Sequence, residues 1–309
     1  MTWTPDDITD LTGRTAVVTG ANGGLGLETA AALAAKGAHV VMAARNLAKA
    51  ATAESEILAR HPEASLEIVE LDLANQDSVQ RAAADISARH PKVDLLINNA
   101  GLMAMPERTT DDGYEMQFGV NHLGHWTFTA GLMGSILAAD AARVVTVSST
   151  AHHIGKVVNV DNPFMKGNYG AWRMYGQAKL ANLHFAIGLN DMFEKAGVTA
   201  RSLAAHPGLT NSDLQSHTVA EGGGGILGAV SHFLSSKTGM SSKDGARSQL
   251  RAATDPGAKG GQFYGPLMVN NGPPVLKPLL RRFDLAKGID RLWEVSQRET
   301  GVALEVPNA

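Results

Sequence analysis

The chain has 309 residues, 27 Lys plus Arg against 30 Asp plus Glu, and a formal net charge of −3, room for a sizeable core in one large domain or two modest ones. So balanced a composition argues against nucleic-acid binding and against a polybasic membrane-surface protein. Cysteine is absent, which removes disulfides, thiolate metal ligands and a thiol nucleophile, while the 33 glycines exceed the usual share of about 7%.

The first twelve residues carry Asp6, Asp7 and Asp10 and no basic residue, unlike a secretory leader, and no apolar run reaches the ~18 residues of a membrane helix. A soluble, cytoplasmic protein without a membrane partner is therefore expected. Strands are predicted at 15–19 (TAVVT), 39–42 (HVVM), 66–71, 93–97 (VDLLI), 143–147 (RVVTV) and 198–203, with a short seventh at 261–264 (GQFY). Ala-rich helical patterns separate them at about 25–36, up to about 60, at 77–89, along 111–138 and along 171–195. Strands alternating with helices predict one doubly wound α/β domain of the Rossmann type, a mainly parallel sheet of about seven strands with helices on both faces. That domain spans 1–309 with its core at about 14–265. Residues 207–245, with Gly222 to Gly225 and many serines, are expected to form a substrate lid, and the Pro-rich 266–309 a wrapping tail ending in a helix near 284–300.

After the first strand the chain reads T-G-A-N-G-G-L-G, residues 19–26. Gly20 permits a sharp exit, Gly24 a close approach to a pyrophosphate, and Gly26 tight helix–strand packing, with Asn22, Gly23 and Leu25 in the same turn. The helix start then offers N–H groups to phosphates. A plain strand-to-helix connection is the bland alternative. The second strand ends Ala43-Ala44-Arg45, with no acid to hold a ribose diol and a cation that suits a 2′-phosphate, so NADP(H) is favoured over NAD(H).

Tyr175 and Lys179 stand four apart in a helical stretch and so share a face. An ammonium beside a phenol lowers its pKa from about 10, equipping it to exchange a carbonyl or alcohol proton while a nicotinamide handles hydride. Around this pair the strand ends and helices bring Asp72, Asn98-Asn99-Ala100-Gly101, Asn121-His122-Leu123-Gly124, Ser148-Ser149 and Pro207-Gly208.

In that order of motifs the chain resembles the short-chain dehydrogenases/reductases from about residue 14 to 265. The segments NNAGLM, NHLGH, VSSTAHHIGK and YGQAKLANLHF are most similar to the retinol-dehydrogenase-like branch, which includes the WW-domain oxidoreductases. The resemblance implies Tyr175 as general acid/base, Lys179 binding the nicotinamide ribose and tuning Tyr175, and Ser149 rather than Ser148 holding the substrate oxygen. It further implies that Asn121 holds a water linking Lys179 to solvent. Asp72 and Leu73 would flank the adenine, Asn99, Ala100 and Gly101 border the cofactor, and Pro207, Gly208 and Leu209 border the nicotinamide. Ser212 falls where the family often has a Thr near the carboxamide.

The implied function is NADP(H)-dependent interconversion of a small-molecule carbonyl and alcohol. A cofactor-binding scaffold without turnover and an NAD-dependent epimerase are the alternatives. Family members commonly pair through the two long helices, here 111–138 and 171–195, so a homo-oligomer is possible. The pairs His152/His153 and His122/His125 lack any companion ligand set, and no metal is expected. His152 and His153 are read as loop or packing residues, with the substrate pocket as the alternative. Met103, Met105 and Met116 are read as core before pocket wall, and Trp126 and Phe128 as packing or interface residues.

Overall fold

Short apolar runs bounded by turn residues form the strands of one sheet in the computed structural model, which describes residues 2–210, 239–279 and 285–307. They are β1 (Thr15–Thr19), β2 (His39–Ala44), β3 (Ser65–Glu70), β4 (Leu95–Asn98), β5 (Arg143–Val147), β6 (Arg201–Ala205), β7 (Phe263–Met268) and β8 (Asn271–Lys277). Their order across the sheet is β3-β2-β1-β4-β5-β6-β7-β8. Pairing is parallel from β3 to β7, with Val17 opposite both Val41 and Leu96, and only β7–β8 runs antiparallel. The chain leaves β1 toward β2 and β3, then returns to place β4 on the other side of β1. The carboxyl ends of β1 and β4 therefore border the crevice where open α/β sheets take ligands.

The helices are α1 (Gly24–Ala34), α2 (Leu47–Arg60), α3 (Gln76–Arg89), α4 (Met116–Phe118), α5 (Gly124–Gly131), α6 (Met133–Leu137), α7 (Ala171–Ala196), α8 (Ser242–Thr254) and α9 (Leu285–Thr300). Because strand residues alternate between faces, Val17 and Val144 face one core and Val18 and Val145 the other. The first core takes Ile86 of α3, Trp126 and Phe128 of α5, Phe185 of α7 and Leu292 of α9. The second takes Leu33 of α1, Ile57 of α2 and Leu250 of α8. Both faces are covered, which is why β1 and β4 read as continuous apolar runs and not as alternating ones.

Three details differ from expectation. The sheet has eight strands, not seven, because part of the expected tail forms β8 and closes the edge beside β7. Pro273 and Pro274 are tolerated in β8 since an edge strand need not donate on both sides, and Pro266 falls in β7 beyond the stretch paired with β6. Helix α8 was not foreseen; Ser241 caps it by accepting from Asp244 N at 3.1 Å. The expected helix along 111–138 is broken. Asp111 to Gly113 form a turn with Gly113 at φ +83, Thr109 bridges Glu115, and Gly119–Leu123 winds as a π-turn before α5. Trp126 and Phe128 lie fully buried in the core. Gly222 to Gly225, and with them most of the expected lid, lie outside the described residues.

Candidate active site

Gly20 leaves β1 at φ +67, a left-handed conformation that side chains rarely adopt, and a Cβ on Gly26 would run into the Gly20 carbonyl. The glycines thus bring the start of α1 hard against the end of β1. Its N-cap, Gly23, provides no side-chain cap, so the first-turn N–H groups point into the crevice. Thr19, the last residue of β1, fixes the neighbouring loop: its Oγ1 accepts from Asn99 N at 2.9 Å and Ala100 N at 3.0 Å. Asn99 Nδ2 donates back to Thr19 O at 2.9 Å, and its Oδ1 accepts from Gln249 of α8.

Along α7, Tyr175 and Lys179 are both buried and reach the same crevice. The Ser149 side chain lies close enough to the Tyr175 phenol to pull its pKa down. Ser148 is committed elsewhere, donating to the Lys179 carbonyl at 2.7 Å, which leaves Ser149 as the serine facing the phenol. Lys179 Nζ donates to Val147 O at 3.1 Å and lies 5.8 Å from the Tyr175 ring centre. Burial pushes the phenol up to about 12, with the Ser149 hydrogen bond opposing, and pushes the Lys179 ammonium down to about 8. The phenol is therefore raised, not lowered as the Lys179 ammonium was expected to do: burial sets the direction and Ser149 is what opposes it.

These groups line one cleft of about 760 Å³. It also gathers Gly20, Asn22, Gly23, Gly24, Leu25 and Gly26 from the glycine turn, Asp72 and Leu73 after β3, and Ala100 and Gly101 with Asn99 after β4. Pro207, Gly208 and Leu209 close the far side, and Arg45 lines the end of β2. Beside Arg45 the cleft is lined by Lys49, one turn into α2, and by Asn46, whose Oδ1 caps that helix by accepting from Lys49 N. Lys49 was not singled out in the sequence, although its spacing of four from Arg45 carried the signal.

Asn121 does not line the cleft. It sits fully buried behind the wall, in the π-turn, where Oδ1 accepts from Leu102 N at 2.6 Å and Nδ2 donates to Leu102 O at 2.8 Å. The opened turn lets the Asn121 carbonyl meet His125 Nδ1 at 3.1 Å, while His125 Nε2 reaches Thr19 Oγ1 at 2.9 Å. The side chain is therefore a clamp on the loop after β4. Its neighbourhood to the ammonium persists, since a Cβ on Gly101 would meet Asn121 Oδ1 at 2.8 Å and Lys179 Nζ at 3.4 Å. Ser212 lies outside the described residues.

Met103 and Met105 do line the cleft, with Ile154, Trp172 and Asn270, against the expectation of core placement; Met116 packs against the core. None of the last three had a sequence signal beyond apolarity or a loop position. His152 turns away: its Nδ1 meets Ser149 O at 2.6 Å and its ring packs edge-on to Phe263. His122 contacts Ser296 Oγ at 2.7 Å within the aromatic core.

The short chain dehydrogenase family model matches residues 14–222. Retinol dehydrogenase 12 of Homo sapiens is 35% identical over 295 residues, covering 96% of this chain and 89% of its own. Retinol dehydrogenase 13 of Homo sapiens is 39% identical over 210 residues, 68% of this chain and 63% of its own length. An uncharacterized protein from Mycobacterium Paratuberculosis superposes with a TM-score of 0.81 at 36% identity, over 99% of this chain and all of that one. No described helix is long and apolar enough to cross a membrane. A dinucleotide-type crevice holding this tyrosine, lysine and serine, together with these likenesses, means that the chain belongs to the short-chain dehydrogenase/reductase family, in its retinol-dehydrogenase-like branch, and is an oxidoreductase.

Proposed function

We propose that the protein interconverts a carbonyl and an alcohol with NADP(H), Tyr175 exchanging the proton. The carrying observation is that the Tyr175–Ser149 pair opens on the same cleft as the glycine turn and the two cations Arg45 and Lys49. The residues present fit a dinucleotide: uncapped N–H groups at the start of α1 suit a pyrophosphate, and the cations suit a ribose phosphate. A structure from Beutenbergia cavernae described as an NAD(P)-dependent gluconate 5-dehydrogenase, with bound NADP, shares the fold at a TM-score of 0.64 and 25% identity.

When bound, the nicotinamide supplies or accepts the hydride at the substrate carbon. Ser149 donates to the substrate oxygen and holds it beside the phenol. In the reducing direction Tyr175 gives its proton to that oxygen, and burial keeps the phenol protonated in readiness. Lys179 would hold the ribose hydroxyls, and it places a positive charge near the developing phenolate. Asn121 acts on none of these atoms directly; it holds Leu102 and so the wall that carries Gly101 and Met103.

Tyr175→Phe removes the proton and keeps the ring. NADPH binding, read by a thermal-shift titration, should persist, while NADPH oxidation with a carbonyl panel should fall by at least about 100-fold, the scale of general-acid contributions. Turnover equal to that of the parent protein would overturn the mechanism.

A further inference from the structure

At the opposite end of β2 from Arg45, three side chains from separate elements converge on one oxygen. His39 opens β2, Glu67 lies in β3, the edge strand, and His90 caps the end of α3. His90 Nε2 lies 2.8 Å and His39 Nε2 3.3 Å from Glu67 Oε2, and one ligand atom from each residue falls within 4.8 Å of the others. No sequence motif marks this set, since 51 residues separate the histidines and only the fold, β2 beside β3 with the end of α3 against them, joins the three. His39 pairs with Ser65 across β2 and β3, and Glu67, two residues on, projects from the same face.

We infer that His39, Glu67 and His90 form a binding site for one divalent transition-metal ion of the zinc type, separate from the reductase cleft. Two imidazoles and a carboxylate are a ligand set that zinc accepts, with a further position left for water. Ligand atoms about 2.0–2.2 Å from a tetrahedral ion stand roughly 3.4 Å from one another, so the two histidine–carboxylate spacings fall within about 0.6 Å of that value and the two imidazoles, no more than 4.8 Å apart, need draw together by about 1.4 Å at most. The His39 Nδ1 lies 2.7 Å from Ser65 Oγ, a contact that fixes the ring and turns Nε2 toward the site. Side-chain exposures of 29%, 21% and 15% for His39, Glu67 and His90 leave an entry path.

Arg89 is the competitor, since its Nη1 pairs with Glu67 Oε1. Its Nε also donates to Asp85 at 3.1 Å, so Asp85 retains the guanidinium when the carboxylate turns to an ion. Glu67, Asp85 and Arg89 together carry one net negative charge, which favours a cation. Five steps of β2 put the site roughly 17 Å from the cleft end of the strand. The inference is therefore independent of the carbonyl-reducing chemistry.

The test is calorimetric titration of the full-length, chelator-stripped protein with zinc chloride, repeated with Co²⁺ for its visible spectrum. One equivalent should bind, and both Glu67→Gln and His90→Ala should weaken it at least tenfold. His153→Ala, at an exposed histidine outside the set, should leave the affinity unchanged. His39→Gln, which preserves a polar side chain beside Ser65, should also lose at least tenfold, and melting temperatures of the metal-free variants check that each folds. Binding of equal strength in the Glu67, His90 and His39 variants, or no binding by the parent protein at 1 mM zinc (on the order of millimolar, the weakest class of specific sites), overturns the proposal.

Discussion

Replacing Asn121 by alanine removes both hydrogen bonds that hold Leu102, the 2.6 Å acceptance from its N–H and the 2.8 Å donation to its carbonyl. Each backbone group left unpaired in a buried setting costs about 1–3 kcal/mol. Leu102 is half-buried, so water recovers part of that loss, and about 2–4 kcal/mol for the two groups together is the expected penalty. For a chain of this length about 2 °C accompanies each kcal/mol, so the melting temperature should fall by about 4–8 °C. Calorimetry reads this directly. Turnover should fall as well, by about tenfold or more, because Leu102 sits between Gly101 and Met103 in the cleft wall. Asn121→Asp keeps an acceptor for the Leu102 N–H but sets an oxygen against the Leu102 carbonyl, so it should rescue little. A melting temperature within about 1 °C of the parent protein would refute the clamp, because one ordinary buried hydrogen bond already exceeds that shift.

Two other outcomes follow from the same cleft and core. Arg45 is exposed, so Arg45→Ala should weaken NADPH by the lower end of a charged hydrogen bond, about 1.5 kcal/mol or roughly tenfold, and leave NADH nearly unchanged; equal weakening of both would count against 2′-phosphate recognition. Burial holds His122 near about 3 and His125 near about 4, below the 6.5 of a solvated imidazole. The unfolded chain therefore takes up protons first as pH falls, and stability drains away from about pH 6.5 down toward about 3. Melting temperature against pH should slope less steeply over that window in His122→Gln, and an identical slope would contradict the neutral, buried assignment.

Seven of the eight strands were legible: most read as short runs rich in Val, Ile and Leu because they are buried on both faces, while β3 showed only an alternating pattern and β7 a short aromatic run. The eighth was hidden by Pro273 and Pro274, which mark a strand only where its outer edge meets solvent. The glycine turn, Tyr175, Lys179 and Ser149 could be read because backbone conformation and chemistry restrict those positions to very few residue types. The break between α4 and α5 was not, because a π-turn depends on packing around Gly119 and Gly124 and leaves no periodic trace. Asn121 was placed in the right neighbourhood, but its clamp on Leu102 could not be read, since only coordinates show which backbone groups its amide meets. Trp172 and Ile154 escaped for a simpler reason: an apolar residue in a loop or first turn looks the same whether it faces a cleft or a core.

Helix α9 has one more consequence. Trp293 packs against Trp126 and Phe185, a Cβ on Gly188 would strike the Trp293 ring, and beyond the helix Val302 O accepts from Trp126 Nε1 at 2.9 Å. Every residue of α7 from Met174 to Asn190 is buried within this single chain. The segments 111–138 and 171–195, named above for a possible pairing of copies, are thus contacted at α5 and α7 by the chain's own C-terminal segment. A cover supplied in the same molecule stays in place at any dilution, whereas a subunit interface loosens as protein concentration falls. The helix bearing Tyr175 and Lys179 is braced on terms that do not depend on how much protein is present.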